Sequence, residues 1–322
     1  VFDVLTIAAI TDELAATILD GKIQRIGLAD PRTLHFEVYA RGRRRTLVAS
    51  ADDRAAGIYL SAGEPAIDVS LVTPLVLLLR KYARGGVIVG IEQPPLERIV
   101  RVSIAKRIVN SPASRQEEIV PDDGENDGGD DEEIYGVESP TFVHLYIEIM
   151  GRHSNLILVD DEGRIMESVK RVTSKMSRVR PIAPRMLYAP PPVMNRPDPR
   201  RLTAEGVRDL MAETPDNRPV ADWLVRSLRG VSPQIAREVA FLATGRDDIT
   251  IGELSASATA EIARTSRTLF EPLLIANWNP QVYEDGEGDA IAFSAVPMRH
   301  LEAEVTAVAT ASISAAAERA AG

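Results

Sequence analysis

Seven of the chain's 21 prolines fall between Pro181 and Pro199, in "PIAPRMLYAPPPVMNRPDP". Proline fixes φ and has no N–H to donate, so neither a helix interior nor a central strand can run through such a stretch. The residues before and after it must therefore fold as separate blocks, joined by a linker or a wrapped arm over 181–200. The composition changes across it: short β-branched runs precede it, and helix-forming residues dominate from Leu202 to about Phe270. At 322 residues and 45% apolar content, the chain can bury a sizeable core in each block.

The first block, residues 1–180, opens with a helix. In "VFDVLTIAAITDELAATILDGKI" the apolar residues recur at helical spacing, with Asp3 placed to cap the start and Gly21 to end it. Alternating runs follow at Lys22 to Leu28, Thr33 to Tyr39, Thr46 to Ser50 and Gly57 to Leu60, separated by turn-forming pairs, and they predict an antiparallel meander. "TPLVLLLRKYARGG" predicts a second helix with Thr73 as cap, Pro74 in the first turn and Gly85 beyond the end. Further strands are expected at Val87 to Gln93, Ile99 to Lys106, Phe142 to Met150, Asn155 to Asp160 and Ile165 to Val169. Residues 201–269 form the helical module, 270–300 return to strand character and rejoin the first block, and the alanine-rich 301–322 reads as the start of a longer helix.

Charge is unevenly placed. The net −10 includes eleven acids and no base between Gln116 and Pro140; without those eleven, the remainder carries +1. So acidic a run predicts a disordered loop over 116–140, set between two strands. It lacks the closing glutamate and flanking helices of a calcium loop. Elsewhere the bases cluster, most densely in "KRVTSKMSRVRPIAPR", where Lys170, Arg171, Lys175, Arg178, Arg180 and Arg185 are accompanied by no acid. A positive face there suits a phosphate backbone, and a solvated charged surface is the alternative.

The absence of cysteine removes every thiolate zinc site and favours a cytoplasmic protein over a disulfide-stapled secreted one. No run approaches the length that spans a bilayer. His35, His144, His153 and His300 show no ligand spacing, and there is no phosphate loop or dinucleotide fingerprint, so neither a metal, a cofactor nor an enzyme is expected. "SLRGVSPQIAREVAF" has the spacing of a helix-hairpin-helix: Gly230 for the tight turn, Ser232 as cap, Pro233 at the first position. Its free N–H groups can hold a phosphate, or the hairpin can serve purely as a packing device.

The turn "GRHSN", residues 151–155, joins two apolar runs with more chemistry than a turn needs. Together with the opening "FDVLTIAA", with "PLVLLLRKYARGGVIVGIEQPPLERIVR" and with "IMESVKRVTSKMSRVRPIAP", it resembles the NFACT family, whose RqcH-type members act in ribosome-associated quality control and were formerly labelled fibronectin-binding proteins. The resemblance runs in order from Phe2 to about Leu301. It implies an α+β fold: an antiparallel β-sandwich flanked by helices, like formamidopyrimidine-DNA glycosylases, followed by an all-α helix-hairpin-helix domain. It implies a factor that binds the stalled large ribosomal subunit and recruits alanyl-tRNA for untemplated alanine tailing, without chemistry of its own. Asp3 matches an early family aspartate and is counted with the tRNA-binding candidates, and the family's tRNA-associated Asp-Arg pair falls on Glu97-Arg98, with glutamate in place of aspartate. The family's His-Pro is here Asp52-Asp53, a second departure. Arg152 and His153 either read folded RNA or lock the hairpin with Asn155. The rival class, a glycosylase or lyase acting on DNA, would require an N-terminal proline amine, whereas this chain reads Val-Phe-Asp.

Overall fold

Each early element forms where its capping chemistry allows. The computed structural model describes residues 2–107 and 140–321; the acidic stretch lies outside them apart from Pro140. Helix α1 (Val4–Ile18) begins where the Asp3 carboxylate accepts from the Thr6 N–H at 2.9 Å. Leu5, Ile7, Ile10, Leu14 and Ile18 are fully buried, so this is a core helix, apolar nearly all round. Its end departs from expectation. Asp20, not Gly21, adopts the left-handed backbone (φ 64°), and Gly21 is needed for space, because a Cβ there would lie 2.7 Å from both the Ile18 carbonyl oxygen and a Val38 methyl.

Strands β1 (Lys22–Asp30), β2 (Thr33–Ala40), β3 (Arg43–Ser50) and β4 (Gly57–Ser61) form the expected meander. Helix α2 (Pro74–Tyr82) follows, capped by Thr73, with Gly85 at φ 83° beyond its end. Then come β5 (Val87–Glu92), β6 (Ile99–Lys106), β7 (Thr141–Glu148), β8 (Asn155–Asp160) and β9 (Ile165–Ser168). All nine strands join one antiparallel sheet, ordered β4-β3-β2-β1-β5-β6-β7-β8-β9. β1 and β5 are paired at Lys22 and Val87 alone, and across that seam the sheet folds over. Phe36, Val38 and Leu47 from one half and Val102, Ile104 and Leu145 from the other line a single apolar void. The two layers of the expected sandwich are therefore halves of one sheet.

Residues 182–188 lie along the first block, and Arg196 and Pro197 meet the helical module through the Val225 carbonyl and the Arg229 N–H. Val172 and Ile182 exchange backbone hydrogen bonds at 2.9 and 2.7 Å. Tyr188 stacks on Tyr146 at 3.9 Å, and Ile182 is buried against Ile157, Val159 and Ile165. The arm thus covers the outer face of β7 to β9.

The helical module comprises α3 (Ala204–Met211), α4 (Val220–Ser227), α5 (Pro233–Thr244), α6 (Ala258–Phe270) and the short α7 (Pro272–Ile275). Its core of Trp223, Leu224, Ile235, Val239, Ile262 and Phe270 is continuous with Val4, Leu5 and Leu96 of the first block. Segment 270–300 does not extend the large sheet. β10 (Gln281–Glu284), β11 (Ala290–Ser294) and β12 (Thr306–Ala309) form a separate three-stranded sheet wedged between the two cores.

The helix expected from Leu301 is likewise replaced at its start by β12, where Val308 pairs with Val282. Alternating β-branched residues with a partner strand outweigh alanine's weak helical preference. Helix α8 (Ile313–Ala321) begins only after that strand and packs on α1 and β4, the Ser314 N–H reaching Glu13 at 2.9 Å.

Candidate nucleic-acid interface

The residues singled out from sequence fall into three places. The first is a junction where α1, the β5–β6 connection and the α4–α5 turn meet. Asp3, 2% exposed, caps α1 through one carboxylate oxygen, and its other oxygen accepts from the Ser232 hydroxyl at 3.2 Å. Ser232 in turn accepts from the Ile235 N–H and so caps α5. One carboxylate thus sits between the positive ends of two helices, a favourable place for a buried anion. Gly230, at φ 72°, lets the turn approach Leu96 and Val4, and a Cβ there would stand 3.3–3.4 Å from them. Glu97 is held to the same turn by Arg229 at 2.8 Å.

Asp3, Glu97, Gly230 and Ser232 are therefore occupied in clamping the helical module to the sheet. For the hairpin this is the packing role, and an anionic side chain already faces the cap that a phosphate would need. No local pattern announces this clamp, because its partners lie 229 and 132 residues apart along the chain.

The second place is a groove of about 710 Å³ across one end of the sheet. Its walls carry Arg98, Gly151, Asp53 and Arg54, and its floor is apolar, with Phe2, Ile149, Phe293 and Ala317. Although adjacent in sequence, Glu97 and Arg98 diverge: the arginine is exposed beside the groove and has no side-chain partner among the described residues. Asp52 and Asp53, which replace the family's His-Pro, form the turn at the groove edge. Asp53 is bound by Lys170 at 2.6 Å and Arg32 at 2.8 Å, and those two cations hold its carboxyl below the usual range. Arg54 and Arg32 were not foreseen as site residues. Arg54 follows directly on the position where the family pattern changes, whereas Arg32 meets Asp53 only through the fold.

The turn 151–155 borders this groove and divides its labour. Gly151 takes φ 56°. Ser154 is buried and accepts from the Met150 N–H at 2.8 Å, while Asn155 bridges both Lys170 backbone groups at 2.7 and 2.9 Å. These two lock the hairpin; of the residues that the locking alternative names, Asn155 takes that role and the His153 side chain does not. Arg152 and His153 take no part in that lock. Both are exposed, and the arginine Nε donates to the imidazole Nε2 at 3.1 Å. Together they form a paired cationic and aromatic head beside Arg98's groove.

The third place is the 170–185 cluster, where three of the six bases are paired with carboxylates. Arg180 forks onto Glu148, which is fully buried and also accepts from the Tyr188 hydroxyl at 2.9 Å. Burial, then the neighbouring Glu148 charge, push that phenol's pKa well up. Arg171 is bidentate to Glu167, and Lys170 belongs to Asp53. A window of sequence cannot show partners that sit on other strands; Glu148 is 32 residues from Arg180. Lys175, Arg178 and Arg185 remain exposed, with no side-chain partner among the described residues.

The four histidines are each engaged. His35 accepts from the Ala66 N–H, His144 bonds Ser103, His153 bonds Arg152, and His300 is buried against Glu238 at 2.8 Å. Among the described residues no His, Cys, Asp and Glu cluster could hold a metal ion, and no helix is long and apolar enough to cross a membrane.

A folded-over antiparallel sheet, clamped to a helical module and bearing a cation-rimmed groove at one end, places this chain in a definite class. It belongs to the NFACT family: the family model of NFACT N-terminal and middle domains matches residues 3–319. The chain is 28% identical over 264 residues to the Rqc2 homolog RqcH of Bacillus subtilis (strain 168), covering 81% of this chain and 41% of that protein. The Rqc2 homolog RqcH of Streptococcus suis (strain 05ZYH33) is 25% identical over 271 residues, covering 84% and 41%. The chain thus spans about two fifths of the length of these relatives.

Two solved structures share the fold. The N-terminal of the fibronectin/fibrinogen-binding protein from Streptococcus suis has a TM-score of 0.70 at 20% identity, covering 98% of this chain and 97% of that one. The fibrinogen binding protein from Staphylococcus aureus has 0.71 at 19%, covering 99% and 98%.

Proposed function

We propose that this chain is the RNA-binding head of a ribosome-associated quality control factor, acting in the cytoplasm without chemistry of its own. In this reading it docks on a large ribosomal subunit obstructed by a stalled chain. There it recruits alanyl-tRNA, so that the ribosome's own peptidyl-transferase centre appends an untemplated alanine tail. The frame is read as formamidopyrimidine-glycosylase-like, with α4 and α5 as a helix-hairpin-helix that packs rather than grips phosphate. Family membership and relatives named RqcH support the general role.

The observation that carries the RNA contact is Arg98. It is an exposed guanidinium at the wall of an open groove, with Arg54 on the same walls and the Arg152-His153 head at the edge, while its neighbour Glu97 is committed elsewhere. A planar fork of donors with no partner among the described residues suits phosphate or base edges.

Arg98→Ala is expected to weaken alanyl-tRNA binding roughly 10- to 100-fold, the scale of one charge-assisted contact worth about 1.5–3 kcal/mol. The melting temperature should stay within about 1 °C of the parent, because an exposed, unpaired side chain adds little to stability. Filter binding or fluorescence titration measures the first and scanning fluorimetry the second. Unchanged affinity refutes the assignment.

A further inference from the structure

Strand β6 runs from the groove at Ile99 to Lys106, so its far end lies roughly 25 Å away at strand rise. The chemistry collected there has no part in the groove. Lys22 stands at the centre, pairing with Tyr39 on one side and Val87 on the other. Tyr39 is opposite Arg44, and Val87 is opposite Ala105, the neighbour of Lys106. β3, β2 and β1 carry this edge on one side of the seam, and β5 and β6 on the other. The last turn of α2 adds Lys81, and Arg84 follows just beyond it; the Lys106 ammonium rests on the Lys81 carbonyl at 2.6 Å. Burial, and then the nearby Arg84 charge, lower the Lys106 pKa, as crowding of like charges predicts.

Two features set this edge apart from an ordinary charged surface. The β2–β3 turn has φ 49° at Arg41 and 76° at Gly42, a two-residue hairpin geometry that favours asparagine, aspartate or glycine at its first position. An arginine there is held in a backbone conformation that L side chains rarely adopt. It makes no side-chain hydrogen bond among the described residues to offset that strain. Secondly, opposing charge is scarce. Along these five strand ends the carboxylates among the described residues are Asp20 and Glu37, and Glu37 already lies 3.9 Å from both Arg25 and Arg44. The acidic turn Asp160 to Glu162 lies beyond β7.

We propose that this end of the sheet is a second nucleic-acid contact, in which Lys22, Arg41, Arg43, Arg44 and Arg84 track the phosphate backbone of a folded RNA helix. It rests on the RNA-binding reading above and adds a site remote from the groove. By register Lys22 and Arg44 flank Tyr39 on one face of β1 to β3, with Arg41 and Arg43 at the hairpin beyond them, a spread of positive charge that fits a polyanion and the release of its counterions. Tyr39, 46% exposed between Lys22 and Arg44, offers a ring for sugar or base contact.

The test compares the whole chain, the double variant Arg41→Glu/Arg43→Glu and Arg98→Ala, each titrated with a transfer-RNA transcript at 50 and 200 mM salt. Because eleven carboxylates lie in sequence between β6 and β7, the same double variant is also made in a chain with 116–140 replaced by a neutral linker. The hairpin variant is expected to bind at least 10-fold more weakly at 50 mM, with a salt slope reduced by about 2, and to melt with the parent. Unchanged affinity and slope in both backgrounds, while Arg98→Ala still loses binding, overturns the second contact and leaves the groove standing. No binding by the parent or by the linker chain overturns both. Displacement by poly-glutamate with no effect of RNA length also overturns it, in favour of an acidic protein partner.

Discussion

Arg180→Ala is expected to destabilise the fold by about 3–5 kcal/mol, because it leaves the fully buried Glu148 carboxylate without its cation. For a chain of this size that corresponds to roughly 5–10 °C in melting temperature. The Tyr188 hydroxyl and its stacking on Tyr146 depend on the same carboxylate, so the arm over β7 to β9 should loosen first. Arg178→Ala, two residues away in the same basic run but exposed and unpaired among the described residues, should shift stability by less than about 0.5 kcal/mol. Chemical denaturation of the two variants beside the parent decides the matter. Equal stabilities would return Arg180 to the RNA-binding surface that its sequence context suggests.

Asp3→Ala should cost about 2–4 kcal/mol. The change removes the cap of α1, worth about 0.5–2 kcal/mol. It also strips the Ser232 hydroxyl of its acceptor at a buried junction, which adds about 1–3 kcal/mol. Asp3→Asn keeps an oxygen facing Thr6 and should recover most of the loss. The pair of variants separates two roles for a residue that the family resemblance associates with tRNA. If Asp3 clamps the modules, both variants rank by stability and RNA affinity follows the folded fraction. A stable Asp3→Ala chain with lost RNA binding would make it a contact residue.

Much of the fold was legible because the signals are local. The Thr73-Pro74 cap and the positions of the nine strands each depend on a few neighbouring residues and their steric preferences. What escaped depends on partners distant in sequence. β12 exists because Val308 finds Val282, and no propensity in the alanine-rich segment announces that pairing. The seam between β1 and β5, which turns one sheet into two layers, is a single residue pair.

The site divides the same way. Asn155 could be read as a hairpin lock from its type and place, whereas Ser154 takes the part expected of His153. The ion pairs that silence Arg171 and Arg180, and the clamp that engages Asp3 and Glu97, required the third dimension. Arg98 keeps the functional reading because no described side chain has taken it, and Arg152 because its side-chain partner, His153, is itself exposed.

Binding of the chain to alanyl-tRNA and to isolated large ribosomal subunits, measured at 50 and 200 mM salt, shows whether the groove end grips RNA through uncommitted cations. Saturable binding is expected, its logarithm falling steeply with the logarithm of salt, with a slope of several and a loss at Arg98→Ala. A slope near zero, or binding indifferent to that arginine, would rule such a grip out.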